Sequence, residues 1–565
     1  MANHVRPGAL LVAAALGSVL RAQPQAPADL ILENARIHTV DGAHPEATAV
    51  AIRGDRFAAV GDAAAVRALR GPRTRVIDLG GRTVVPGLAD AHGHFTSLGA
   101  SLQRLDVRGV KSYDAIVAMV KQRAATARPG EWILGRSWDQ NLWADTSFPT
   151  HEKLDAAAPD NPVYLTRVDG HAGLANAKAM AIAGVSRDTP DPPGGRIIRD
   201  AAGNPTGTFV DGAQRLIADR IPPESDAQLA EEIRLADAEC RRLGLTMVHD
   251  AGTDQRTIDL YAKLADAGIL QTRIYAMVRG SLAELQPFFA RGPMVDHHDF
   301  HLIVRAIKLY ADGALGSRGA ALLEDYSDDP GNRGLLVTPP EVIYQETLAA
   351  AKAGYQVSIH AIGDRANREV LDVFERVEHE VPGARALRLR DEHAQILSPA
   401  DIPRFARLGV VASMQPTHCT SDMPWAPARL GPARIAEGAY VWQKLMKTGV
   451  VLAGGSDFPV ERPNPMLGLY AAITRQDVHG RPPGGWQPDQ RMSRLEALRA
   501  FTINAAYAAH MEDELGTIEA GKLADLVVLS DDIMTVAPPR ILATTVLKTM
   551  IGGQWVYEQH ETRQR

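Results

Sequence analysis

Eight times along this chain a short β-branched apolar run gives way to a polar cluster. The runs are "TVVPGLADAH" (83–92), "LTMVHDAG" (245–252), "TRIYAMV" (272–278) and "VRAIKLYADG" (304–313). They continue with "QVSIHAIGD" (356–364), "LRLRDEHAQ" (387–395), "VVASMQP" (410–416) and "VVLAGGSDFPV" (450–460). Helical patterns lie between most of them, such as "DAQLAEEIRLADAECRRLG" before the second and "ANREVLDVFERVEHE" after the fifth. A buried run, turn residues and then a helix make a βα unit. Eight units in one chain predict an α/β fold built on a (β/α)8 barrel.

At 565 residues the chain is longer than a barrel needs. "ADLILENARIHTV" and "EATAVAIRGDRFAAVG" near the start alternate apolar and polar residues, and "LADLVVLSDD" (523–532) and "VLKTMIGGQWVYE" (546–558) match them near the end. Neither group can bury a core alone. The expectation is one small β-sandwich drawn from both ends, residues 27–82 with 513–560, around a barrel over 83–512. From about 105 to 230 the chain is rich in Gly, Pro, Asp and Trp, which predicts a structured insertion after the first barrel strand. Loops after barrel strands open on the catalytic face, so such an insertion would cap the site. Trp132, Trp138 and Trp143 within it either line an apolar pocket or pack the insertion's own core.

Residues 1–22 read as a secretory signal: Arg6 precedes an apolar run from Gly8 to Leu20, with cleavage expected after Ala22. Export to the periplasm or the medium follows as an expectation, and no later segment looks long and apolar enough to span a membrane. With 45% hydrophobic and 23% charged residues, a formal net charge of −6 and no basic run, the composition excludes a nucleic-acid footprint. Cys240 and Cys419 are too few for a disulfide framework and are read as free.

The strand ends carry the chemistry. "VVPGLADAHGHF" places His92 and His94 two residues apart, on one face of an extended strand. Lys308 lies in the fourth run, His360 ends the fifth, His393 the sixth and Asp457 the eighth. One histidine at a strand end is most often a hydrogen-bonded structural group, and His249 and His418 are read that way. The set is different, because its members share one end of the strands. Imidazole and carboxylate donors suit a divalent cation of the zinc type.

The stretches "VVPGLADAHGHF", "RVDGHAGLANAKAM", "PGGRIIRDAAGNPTGTF", "IKLYADGALGSRGAAL", "VSIHAIGDRAN", "RDEHAQIL", "GGSDFPV" and "GTIEAGKLADLVVLS" resemble the amidohydrolase superfamily. The resemblance is to its amidohydrolase-3 group, which includes the N-substituted formamide deformylases. It implies a metal-bearing barrel with one or two zinc ions held by His92, His94, His360 and His393. It also implies that Asp457 binds or adjoins the metal and acts as general base, and that Lys308 is, in many members, carboxylated and bridging. His360 or His393 would steady the oxyanion, while His171, Arg167 and Arg318 would contact substrate. Asp312 is either close to the site or part of a structural turn. The implied reaction is attack of a metal-activated hydroxide on a small-molecule amide, an N-substituted formamide among them. The same site would serve a cyclic amide, an N-acyl amino acid, a carbamate or an ester. A relic barrel that only binds small molecules is the alternative from another class. For association, the general prevalence of symmetric homomers makes a homodimer the expectation.

Overall fold

The computed structural model describes residues 26–167, 172–192, 195–316 and 318–559. The signal-peptide reading at 1–22 and the candidate His171 lie outside them. The eight runs form eight parallel strands of one sheet: β1 (Leu88–Gly93), β2 (Leu245–Thr253), β3 (Arg273–Val278), β4 (Leu302–Tyr310), β5 (Gln356–Ala361), β6 (Arg390–His393), β7 (Val411–Met414) and β8 (Leu452–Gly454). Each pairs with its neighbour in the chain. The two edges then meet: Asp457 N–H donates to His92 O (2.7 Å) and His94 N–H to Phe458 O (2.8 Å). The Asp90 carboxylate in β1 accepts from the Ser456 backbone N–H (3.0 Å) and hydroxyl (2.6 Å). The fold is the expected (β/α)8 barrel.

Parity along the strands decides what faces the lumen. Met247, Tyr275, Met277 and Ile303 pack together inside, while Val248, Ile274, Ala276 and Val304 pack outward with the helices. In β4 the register slips by one residue: Ala276 pairs with Val304 and Met277 with Ala306. That bulge at Arg305 reverses the alternation, so Ala306 joins the inner cluster and Ile307 and Leu309 the outer one. Lys308 and Tyr310 share the parity of Ala306 and turn inward.

The run 83–92, read from sequence as one strand, is two. Thr83–Pro86 belongs to a six-stranded sheet, between Arg36–His38 and Leu526–Leu529, and the barrel begins after Gly87. A four-stranded sheet (Leu30–Glu33, Ala49–Arg53, Arg56–Gly61, Arg75–Asp78) packs against it. Leu32, Val50 and Ile52 from one sheet share a core with Ile37, Val84, Leu526 and Met550 from the other. Both ends of the chain thus build one sandwich.

Between β1 and β2 the chain runs through helix Phe95–Gln103, a six-stranded sheet reaching from Leu105–Asp106 to Pro205–Asp211, and helix Asp226–Arg242. This insertion has apolar clusters of its own. Trp138 and Trp143 are buried in one, their indole N–H groups donating to Leu165 O (2.8 Å) and Val110 O (3.1 Å). Trp132 packs against the other. Of the two readings for these tryptophans, the structure supports the packing one. Cys240 and Cys419 are buried and free. Among the described residues no helix is long and apolar enough to cross a membrane.

Candidate metal centre

The donors converge at the C-terminal ends of the strands. His92 is buried at the end of β1, and Gly93 behind it is required by packing: a Cβ there would fall 2.5 Å from the Phe458 ring. His94 Nε2 lies 3.0 Å from Asp457 Oδ1, and His92 Nε2 3.7 Å from the same oxygen. The other carboxylate oxygen, Oδ2, is 3.6 Å from Nε2 of His418. Asp457 and His393 adopt left-handed backbone (φ 59° and 82°), a sparsely populated state for such residues that recurs at functional sites.

Two groups of three each bring one donor atom per residue within 4.8 Å of the others: His92, His94 and Asp457, and His393, His418 and Asp457. Asp457 belongs to both. His360 stands beside them, its ring 4.5 Å from that of His393, but belongs to neither group. Lys308 Nζ is 3.4 Å from His92 Nε2. His418, read from sequence as structural, is drawn into the cluster by the short helix Pro416–Asp422 that follows β7. The signal for it was its place just beyond the seventh strand, at the same end as the others. His249 sits deeper, its Nδ1 2.8 Å from Arg390 Nη1 and its ring against Tyr275.

A buried frame orients the rings. Glu392 Oε2 accepts from His92 Nδ1 (2.5 Å), which leaves Nε2 for the centre. Arg390 holds the same carboxylate through Nε (2.7 Å) and also reaches Ala91 O and the Ser413 hydroxyl. Gln415 Oε1 accepts from His393 Nδ1 (2.8 Å). Such outer partners fix tautomer and ring angle at metal sites. Glu392, beside His393 in "RDEHAQIL", carries no signal of this role in the sequence alone.

Burial pushes the His92 imidazole down to about 4, with the Lys308 ammonium adding to the effect. Burial and Lys308 likewise push His360 down to about 3, and burial with its imidazole neighbours holds His393 well below its usual range. These three rings are neutral at neutral pH, the form that ligates. Burial alone would raise Asp457, but His94, His92, His393 and His418 outweigh it and hold the carboxyl well below the carboxylate range. Among the described residues, Nε2 of His360 and of His418 are buried without a hydrogen-bond partner. Buried polar atoms are normally paired, so imidazole nitrogens without a hydrogen bond, gathered around one carboxylate, fit a divalent cation.

The remaining candidates have partners of their own, and Asp312 also lies close to the cluster, its Oδ1 3.6 Å from His360 Nε2. Asp312 accepts backbone N–H bonds from Ala321, Ile362 and Gly363 (2.8–2.9 Å), shaping the turn against which His360 rests. Arg318 pairs with Asp328 (2.9 Å). Arg167 lies within the insertion, bonded to Gln140 Oε1 (2.8 Å) and paired with Asp139 (3.1 Å).

Known proteins agree with this architecture. The amidohydrolase family model matches residues 75–557. Protein LONG AFTER FAR-RED 3 of Arabidopsis thaliana is 36% identical over 542 residues, covering 94% of this chain and 92% of its own. The N-substituted formamide deformylase of Arthrobacter pascens is 29% identical over 541 residues, covering 94% and 98%. A metal-dependent hydrolase of Pyrococcus horikoshii superposes with a TM-score of 0.76 at 27% identity, covering 90% of this chain and 99% of that one. A family match across most of the chain, on a barrel whose strand ends gather metal-type donors, is decisive: the chain belongs to the amidohydrolase family and is a metal-dependent hydrolase.

Proposed function

We propose that this enzyme hydrolyses the C–N bond of a small-molecule amide, with N-substituted formamides as the first class to test, and that zinc is its metal. The observation that carries the reading is the pair of three-residue groups sharing Asp457. The likeness to a formamide deformylase over 94% of the chain directs the choice of substrate. His92, His94 and Asp457 would hold one ion, and His393 and His418 with Asp457 a second. Lys308, pushed down to about 8 by burial, has neutral amine within reach, the form that carboxylation requires. A bound divalent ion supplies an acidified water and a Lewis acid for the substrate carbonyl.

The chain's own residues supply the rest. Asp457, held ionised, accepts the proton of the attacking water and passes it to the leaving nitrogen, which cannot depart as an anion. His360, neutral and beside His393, is placed to steady the developing oxyanion. Glu392 and Gln415 keep the rings from turning. The N-terminal segment supports an exported enzyme.

The test joins elemental analysis of protein purified without added metal to the Asp457→Asn variant. The expected result is about one or two zinc equivalents per chain, activity on N-formyl amines that a chelator abolishes and zinc restores, and a fall of about 100-fold or more in kcat for the variant. Protein that neither carries nor takes up zinc would overturn this reading and leave a small-molecule binding protein. A variant with wild-type turnover would remove Asp457 as the base.

A further inference from the structure

Beside the histidines, the ends of β2, β3 and β4 meet in one corner. Gly252 in β2 has φ +111°, and a Cβ there would lie 3.1 Å from the Tyr310 hydroxyl and 3.7 Å from Arg279 Cδ and Lys308 Cγ. Only glycine leaves that space open. Tyr310 closes β4, turned inward by the bulge, with its ring 5.8 Å from that of His360. Lys308 Nζ stands 5.1 Å from the Tyr310 ring centre. Burial pushes the Tyr310 phenol up, and the Arg279 guanidinium beside it pulls it back.

Arg279 follows β3 directly and is exposed. No carboxylate among the described residues pairs with it. Exposed arginines are ordinary on a protein surface. This one stands on the catalytic face, against a tyrosine that borders the reacting centre. A guanidinium presents a planar fork of donors that matches a carboxylate, and the phenol adds a further donor.

We propose that Arg279, with the Tyr310 hydroxyl, binds a carboxylate on the substrate, so that the enzyme's class is amides of amino acids. The proposal rests on the amide-hydrolase reading above and narrows it. A formyl carbon bears only hydrogen on its acyl side, so for a formamide the carboxylate must stand on the amine side. The substrate is then an N-formyl amino acid. The C–N bond breaks and a C–O bond forms: N-formylalanine and water give formate and alanine, with the acid proton carried to the amine.

N-formylalanine and N-ethylformamide differ only in that carboxylate. The experiment measures kcat/KM for both with the wild-type holoenzyme, Arg279→Met and Arg279→Lys. The wild type is expected to favour N-formylalanine by about ten-fold or more. Arg279→Met should cut that ratio by about ten-fold, chiefly through KM, and Arg279→Lys, which keeps charge without the fork, should fall between. Equal ratios in the wild type and Arg279→Met would overturn the proposal. Should neither compound be hydrolysed, the amide reading fails instead, and calorimetric titration of N-formylalanine into the same proteins decides. Binding weakened about ten-fold by Arg279→Met supports the carboxylate site; equal affinity, or no binding to either, overturns it.

Discussion

Glu392 shows how much of this site is set one residue away from the donors. Its carboxylate is shared between Arg390 and His92 Nδ1, and all three groups are buried. Burial alone would raise its carboxyl, but Arg390 and His92 hold it well below the usual range. The charge on Glu392 therefore makes the opposite nitrogen of His92 a better donor. Glu392→Gln keeps the shape and removes the charge. Its metal affinity, measured by competition with a chromophoric chelator, should weaken by about 10- to 100-fold. Unchanged affinity would mean that Glu392 serves only to neutralise Arg390. At this scale the sequence is legible where donors sit in recognisable strand-end motifs, as His92, His94, His393 and Asp457 do. It is opaque where a partner's role depends on which way a neighbour points. His418 lies on a helix after β7 rather than on the strand, and its approach to Asp457 exists only once the barrel closes.

Among the elements, the strands and their order were legible because each βα unit repeats the same local pattern, whereas parity was not. A bulge adds one residue without changing the apolar character of the run. In β4 it decides that Lys308 and Tyr310, rather than Ile307 and Leu309, face the centre. The split at Gly87 was hidden for a similar reason, since Thr83–Pro86 is as fully buried as the barrel strand that follows it. Helix Asp226–Arg242, which returns the chain from the insertion to the barrel, carries its own start signal. Ser225 Oγ accepts from Gln228 N–H (3.3 Å), and Gln228 Oε1 accepts from Ser225 N–H (2.9 Å), a reciprocal cap. Ser225→Ala should cost about 1 kcal/mol locally. Amide hydrogen exchange in the first turn should then rise about five-fold, with Ser225→Asp restoring protection. No change in that turn would show that packing of the helix, not the cap, fixes its start.

Across the whole molecule, the sandwich closes around the two ends of the chain, and one buried ion pair ties it to the barrel. Arg273 at the start of β3 meets Asp525 in a two-point contact, Nε–Oδ2 at 2.8 Å and Nη2–Oδ1 at 3.0 Å. Arg273 also donates to Asp299 O (2.6 Å), and Asp525 accepts from Gly552 N–H (2.8 Å). Both side chains are almost fully buried. Removing one partner leaves the other as an uncompensated charge, which costs about 3–5 kcal/mol, whereas replacing both by apolar residues of similar volume is often near neutral. Asp525→Ala should therefore lower the temperature of calorimetric unfolding clearly, and Arg273→Met with Asp525→Leu should recover most of the loss. The sandwich cannot hold its strands in register without both chain ends, so the ion pair sits where barrel and sandwich must unfold together. A single shifted transition in Asp525→Ala is expected on that ground. Equal losses in the single and double variants would show that the hydrogen bonds to Asp299 and Gly552, not the pairing of charges, carry the junction.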